Sequence, residues 1–430
     1  MNDWNRGDPA TCWALQARYV FPVDGPPLHD AAVTISGPNI RAVGPPVSGV
    51  PVHDLGHAAI IPGLVNAHTH LEFSGLAQPL DAGSGTFADW IRRVIDWRRQ
   101  RPADVLKGVA RPPIEHGLRE NLHAGTTLVG EIATEAWRDV PLPVDGVVFR
   151  ELIGLRAAAC RLQLELARGH LSQAGRLQQG WQVGISPHAP YTVHPDLLCE
   201  IARWSAQAGF PVAVHLAESR EELQLLQRQE GPLVELLREL DAWDPAAIRA
   251  GTRPRDYLSV LARARRVLVV HGNYLDAEEI AYLGRQSARM SVVYCPRTHA
   301  RFGHRPYPLA QMLAAGVNVA LGTDSRASNP DLSLLAELRY LAARHPDLPP
   351  ERALALATRN GAVALGRGQD CGTIRAGKRA LLTIIPLGDG AARDPHELLL
   401  DSARPAQAVV YYGQWIELGG AAADPPAGAR

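Results

Sequence analysis

The stretch that decides the fold runs from Ile60 to Gly75, IIPGLVNAHTHLEFSG. Here an apolar run gives out at two histidines, His68 and His70. In a β-strand, residues i and i+2 project from one face, so both imidazoles would point the same way. That is how a chain offers two nitrogens to one metal ion. The same pair could equally be surface or core histidines, and the rest of the chain must discriminate.

Moving outward from this stretch, β-rich runs alternate with longer helical segments, the signature of βα units around a parallel sheet. Eight runs read as strands: AAIIPGLVNAH, TTLVGEI, GVVFREL, WQVGISPH, PVAVHLAE, RVLVVHGN, MSVVYCP and VNVALGTD. Helices are expected at Phe87–Arg99, Pro195–Ala208, Ser219–Leu240, Asp276–Arg285 and Pro308–Ala314. Eight such units predict an α/β fold, a (β/α)8 TIM barrel over residues 59–365. Residues 1–58 and 366–420 read instead as short strands broken by turns, a small flanking β-sandwich domain built from both termini. Residues 421–430, rich in Ala, Pro and Gly, read as a disordered tail.

Composition excludes several function classes. The chain is 46% hydrophobic and 20% charged, in the range of soluble globular proteins. Its 44 basic and 44 acidic residues leave no excess charge for nucleic acid or an anionic membrane. No run approaches the length of a membrane span. The opening MNDWNRGDPATCW is acidic where a signal peptide would be basic, so a cytoplasmic location is expected. Five scattered cysteines without a C-x-x-C fit a reducing compartment rather than a disulfide framework or thiolate zinc site.

Barrel enzymes carry their chemistry at the C-terminal ends of the strands. Those ends hold His68 and His70 (strand one), His188 (four), His215 (five), His271 (six) and Asp324 (eight). Polar residues at strand ends can serve as caps. Six of metal-ligating type, brought together only by barrel closure, point instead to a metal centre.

The segments PGLVNAHTH, SPHAPYTV, VAVHLAES, VVHGN and ALGTDSRASNPDLSL together resemble the amidohydrolase superfamily. They are most similar to its mononuclear deaminase branch, which includes cytosine, guanine and S-adenosylhomocysteine deaminases, and the likeness covers roughly residues 12–418. It implies one divalent ion, zinc with Fe(II) as the alternative, held by His68, His70, His215 and Asp324. It also implies that Glu218, from the motif H-x-x-E, moves a proton from water to a ring nitrogen. His271 would orient the water, and Asp324 would accept a hydrogen bond from it. The binuclear branch bridges its metals with a lysine on strand four, where this chain has none; its two lysines are Lys107 and Lys378. A glutamate bridge through Glu131 or Glu151 is the less favoured option.

The resemblance puts His188 at the substrate, and Glu72 follows the ligand pair closely enough to read polar groups. Arg297, in CPRTHARFGHRPYPL, and Arg326, in TDSRASNPDL, would make a basic mouth suited to a carboxylate. The predicted reaction is hydrolytic deamination of an aminated heterocycle, an adenine-type nucleoside derivative, with carboxylated aminodeoxyfutalosine as the specific expectation. A triazine or other C–Cl/C–N hydrolase and a cyclic amidohydrolase remain open. So does a catalytically inactive scaffold, though the intact ligand set argues against it. The expected partner is a small molecule, and a homodimer is compatible with barrels of this kind.

Overall fold

Gly63 divides the opening stretch into two strands with different partners. Ala58–Pro62 pairs antiparallel with Leu381–Pro386, whereas Leu64–Thr69 runs parallel to Thr126–Ala133. A Cβ at position 63 would collide with the Thr127 side chain, so the chain passes between the two sheets only because it is glycine. The computed structural model describes residues 12–81, 85–101, 113–390 and 394–419. The expected boundary at residue 58/59 is thereby corrected: residues 59–62 belong to the flanking sheet. The cause is the two-residue period. Ile60 packs into the core of the flanking domain with Leu382 and Ile384, and Ile61 packs into the main core.

The barrel strands are Leu64–Thr69, Thr126–Ala133, Asp145–Leu152, Trp181–Pro187, Val212–Leu216, Val267–His271, Met290–Tyr294 and Asn318–Leu321. Sequence neighbours pair in parallel from first to eighth. Buried on both faces, they read as near-continuous Val, Ile and Leu, which is why they were legible. First and eighth strands meet along a sparse seam. Its backbone pairing among the described residues is a single parallel bridge from Thr69 to Asp324 and two hydrogen bonds, from the Thr323 and Asp324 N–H groups to the His68 carbonyl, both 3.1 Å. Side-chain hydrogen bonds between Asn66 and Thr323 and from Thr69 to the Asp324 carbonyl supplement it.

Helices form where capping agrees with periodicity. Phe87–Arg99 starts with a capping box between Thr86 and Asp89. Pro195–Ala208 has Pro195 in its first turn and ends at Gly209, φ 83°. The single helix expected over Ser219–Leu240 is instead two, Arg220–Arg228 and Pro232–Glu239. Gln229 and Gly231 turn left-handed, φ 58° and 98°, and Pro232 lacks the N–H that would continue the helix.

The flanking domain is one eight-stranded sheet drawn from both ends of the chain, with paths through Cys12–Val20, Ala58–Pro62, Leu381–Pro386 and Ala408–Tyr411. It is fastened to the barrel floor by Asp145, the first residue of the third barrel strand. Asp145 accepts from the Tyr411 and Tyr412 hydroxyls, both 2.7 Å, and from Arg367 Nη2 at 3.0 Å. Among the described residues no helix is long and apolar enough to cross a membrane. The expected tail at 421–430 and Lys107 lie outside the described residues.

Candidate active site

The three histidines from the first and fifth strands converge at the barrel mouth. Ring nitrogens of His68, His70 and His215 lie within 4.8 Å of one another, and all three side chains are buried. His70 Nε2 and His215 Nε2 stand 3.4 Å apart. His215 Nδ1 is 3.0 Å from the His188 carbonyl, which can only accept. The proton therefore sits on Nδ1 and the Nε2 lone pair is left free. Both ring nitrogens of His68 and Nδ1 of His70 are buried without a hydrogen-bond partner among the described residues. Burial holds His70 and His215 well below the ordinary imidazole pKa, and the neighbouring histidines push the same way. Neutral, buried, under-partnered imidazoles have the chemistry of a metal site.

Asp324 lies on the same rim, with Oδ1 3.5 Å from His68 Nε2 and 3.7 Å from His70 Nε2. Burial opposes its charge, but the surrounding imidazoles prevail and hold the carboxyl well below the usual carboxylate range. Its other oxygen, Oδ2, accepts from the Ser328 hydroxyl at 2.6 Å, which leaves Oδ1 directed at the imidazoles.

Arg297 and Arg326 are placed differently from expectation. Neither lines the cavity above the histidines. Arg297 makes a bidentate pair with Asp331, 2.7 and 3.0 Å, and donates through Nε to Glu337 at 2.7 Å. Glu337 also accepts from Asn329, which bonds the Thr323 carbonyl beside Asp324. Arg326 donates to the Leu76 carbonyl at 2.8 Å and to Glu120 at 2.7 Å. Both arginines are engaged by protein acceptors and lie off the cavity, so they brace the Asp324 loop instead of forming a basic mouth. Glu72 is likewise committed. Its buried carboxylate pairs with Arg98, 2.6 Å, and with Arg101, and does not line the cavity.

Glu218 and His271 face each other across the site, Oε1 to Nε2, 3.3 Å. Ser219 caps the following helix, and Glu222 in its first turn accepts from the Ala217 and Glu218 N–H groups at 2.9 and 2.8 Å. Ser219 and Glu222 thus satisfy the backbone at this helix start, and Glu218 is left to turn inward. Burial raises Glu218 well above the ordinary carboxyl pKa, and the charges of Asp324, Glu222 and Glu221 add to this. Ala217, His271 and Asp324 have φ of 54°, 69° and 57°, left-handed for residues with a side chain. Such conformations cost on the order of 1–3 kcal/mol each and cluster at functional sites.

Above these residues opens a cavity of about 490 Å³. Its floor holds His70, His215, Glu218, His271 and Asp324, and His188 stands at its side. The outer wall is apolar, formed by Trp90, Ile91 and Val94 of the helix after strand one and by Leu233, Leu236 and Leu237 of the second helix after strand five. Sequence reasoning missed this wall, along with Arg98 and the cavity-facing position of Glu151. Burial raises Glu151 to about 7, with Arg98 opposing. Glu131, the other alternative bridge, is occupied as an acceptor for the Leu71 N–H at 3.0 and 3.2 Å. Lys378 donates to the Gly368 and Cys371 carbonyls, and the fourth strand, Trp181–Pro187, carries no lysine.

This architecture defines a barrel hydrolase class, and the Amidohydrolase family matches residues 59–414; the chain belongs to that family. Within it, the 5-methylthioadenosine/S-adenosylhomocysteine deaminase of Moorella thermoacetica is 31% identical over 407 residues, 88% of this chain and 85% of the relative. The aminodeoxyfutalosine deaminase of Deinococcus radiodurans is 30% identical over 323 residues, 72% of this chain and 74% of the relative. Helicobacter pylori aminofutalosine deaminase, solved with methylthio-coformycin, superposes with a TM-score of 0.82 at 23% identity. That match covers 94% of this chain and 100% of the other, a likeness of fold.

Proposed function

We propose that this protein is a metal-dependent hydrolytic deaminase of an adenine-type nucleoside, releasing ammonia. The observation that carries the reading is the Glu218–His271 pair beside the imidazole cluster and Asp324, with His70, His215, Glu218, His271 and Asp324 at the floor of one cavity. His68, His70, His215 and Asp324 would hold one divalent ion, zinc by this donor set with Fe(II) as the alternative. Bound there, the ion supplies Lewis acidity and eases ionisation of a water.

The remaining work falls to side chains. Asp324 accepts a hydrogen bond from the attacking water and fixes its direction. Glu218, kept readily protonated by burial, carries a proton to the heterocycle ring nitrogen, which makes the amine-bearing carbon electrophilic. His271, its Nε2 3.3 Å from Glu218, orients the water. Addition of water across the ring C–N bond and loss of ammonia leave a carbonyl.

The relatives named for deaminases of adenine nucleosides support this substrate class. The apolar outer wall favours a nucleoside with an apolar or aromatic 5′ substituent. The aromatic ring of aminodeoxyfutalosine suits this wall, while Arg297 and Arg326, engaged within the protein and off the cavity, are not placed to meet its carboxylate. The arginines that line the cavity among the described residues are Arg98 and Arg156, the latter paired at 2.6 Å with the exposed Asp241. Triazine and cyclic-amide hydrolysis would use the same floor, so the pocket contents decide between them. The full donor set argues against a scaffold. The five free cysteines fit a cytoplasmic location. A homodimer is part of the proposal and is tested by sedimentation.

The test couples metal analysis to an ammonia-release screen over adenine nucleosides, triazines and cyclic amides. Glu218→Gln should keep its metal and lose about 10²–10⁴-fold in rate on the nucleosides. A fully active Gln variant, or release only from the non-nucleoside substrates, would overturn the reading.

A further inference from the structure

Glu151 closes the third barrel strand as a buried carboxylate facing the cavity, its side chain 3% exposed. No described residue hydrogen-bonds it; the nearest cation is Arg98 Nη2, 3.9 Å away. Arg98 is itself half committed. Nη2 donates to Glu72 at 2.6 Å, the guanidinium carbon lies 5.3 Å from the Phe73 ring centroid, and Nε is buried without a partner among the described residues. Arg98 also lines the cavity. A buried acceptor and a part-buried guanidinium with an unpartnered Nε therefore stand together on one cavity wall. Buried groups of this kind are costly unless a ligand satisfies them.

His188 extends the same wall. Its Nδ1 is 2.6 Å from the Thr192 hydroxyl, which in turn donates to the Ala189 carbonyl at 3.2 Å. The Thr192 oxygen must then accept from Nδ1–H, leaving His188 Nε2 as a bare acceptor. Cavity polarity thus runs in three steps: the metal-ligating floor, a collar of two acceptors and one donor, then the apolar outer wall. A nucleoside with an apolar 5′ group carries its chemistry in the same order: heterocycle, hydroxylated sugar, apolar substituent. Vicinal hydroxyls both donate and accept, which is what a carboxylate beside a guanidinium requires.

We infer that Glu151, held by Arg98, is a specificity-determining residue that binds the cis-diol of the substrate's furanose. The inference rests on the nucleoside deaminase reading and makes the ribose, not the base alone, the recognised unit. Glu72 is the positioning residue behind Arg98.

The experiment measures kcat/KM for ammonia release from 5′-methylthioadenosine and from its 2′-deoxy and 3′-deoxy forms. Wild type and Glu151→Gln are compared, with metal content and melting temperature as folding controls. Loss of either hydroxyl should cost the wild type about 10- to 100-fold, the scale of a hydrogen bond to a charged group. Glu151→Gln should lose a similar factor on the ribonucleoside and little on the deoxy forms, so the discrimination collapses. If that variant does not fold, Arg98→Lys should show the same collapse. Equal rates on all three nucleosides in wild type, or equal losses on all three in a folded variant, would overturn the inference while ammonia release leaves the deaminase reading intact. No ammonia from any adenine nucleoside would overturn both.

Discussion

Arg297 shows how a side chain can be recognisable by type and still be misplaced by role. Its guanidinium takes two carboxylates, from Asp331 and the fully buried Glu337, and through Asn329 and Ser328 this polar chain reaches the loop that aims Asp324. Removing one partner of a buried ion pair costs about 3–5 kcal/mol, because the other charge is stranded. Arg297→Ala should therefore lower the melting temperature and reduce turnover by the same factor on plain and carboxylated nucleosides. A selective loss on carboxylated substrates would return Arg297 to the substrate. The ligand-type residues were legible because each ends an apolar strand. The engagement of Arg297 was not, since its partners lie 34 and 40 residues onward and meet it only when the last barrel strand is in place.

At the level of elements, strands were the easier reading and helix ends the harder. Burial on both faces leaves strands with an unmixed apolar signature, whereas the break between Arg228 and Pro232 hangs on three residues inside an otherwise helical pattern. The Gly-Pro pair that causes it is visible in the sequence, but the apolar periodicity continues across it and masks the stop. That break creates the second of the two helices lining the outer cavity. The first turn of the preceding helix makes a pH prediction. Burial raises Glu222 to about 7, above its unfolded value near 4.5. The folded state then binds the proton more tightly, so stability falls as pH rises from about 4.5 to 7 and levels off above. Glu222→Gln should shrink the difference in melting temperature between pH 5 and pH 8. Identical pH slopes in both proteins would contradict that account.

For the whole molecule, the barrel and its flanking sheet followed from alternation of short apolar runs and helices, together with the turn-rich ends. What the sequence withheld was contact between remote elements: the apolar wall shared by helices more than 130 residues apart, and the Asp145 cluster that ties Tyr411, Tyr412 and Arg367 to the barrel floor. Such contacts depend on where each βα unit falls around the cylinder, which no local pattern encodes.

The junction between first and eighth strands has one more consequence. The proposed donors straddle it, His68 and His70 on one side and Asp324 on the other, where little backbone pairing joins the edges. A cation held there acts as a clasp on the cylinder as well as a reagent. Chelated protein should exchange the Thr323 and Asp324 amide hydrogens for deuterium faster than loaded protein, while amides between the fifth and sixth strands stay protected. Starvation for metal would then register as a loosened hoop, open to proteases, and not merely as idle chemistry.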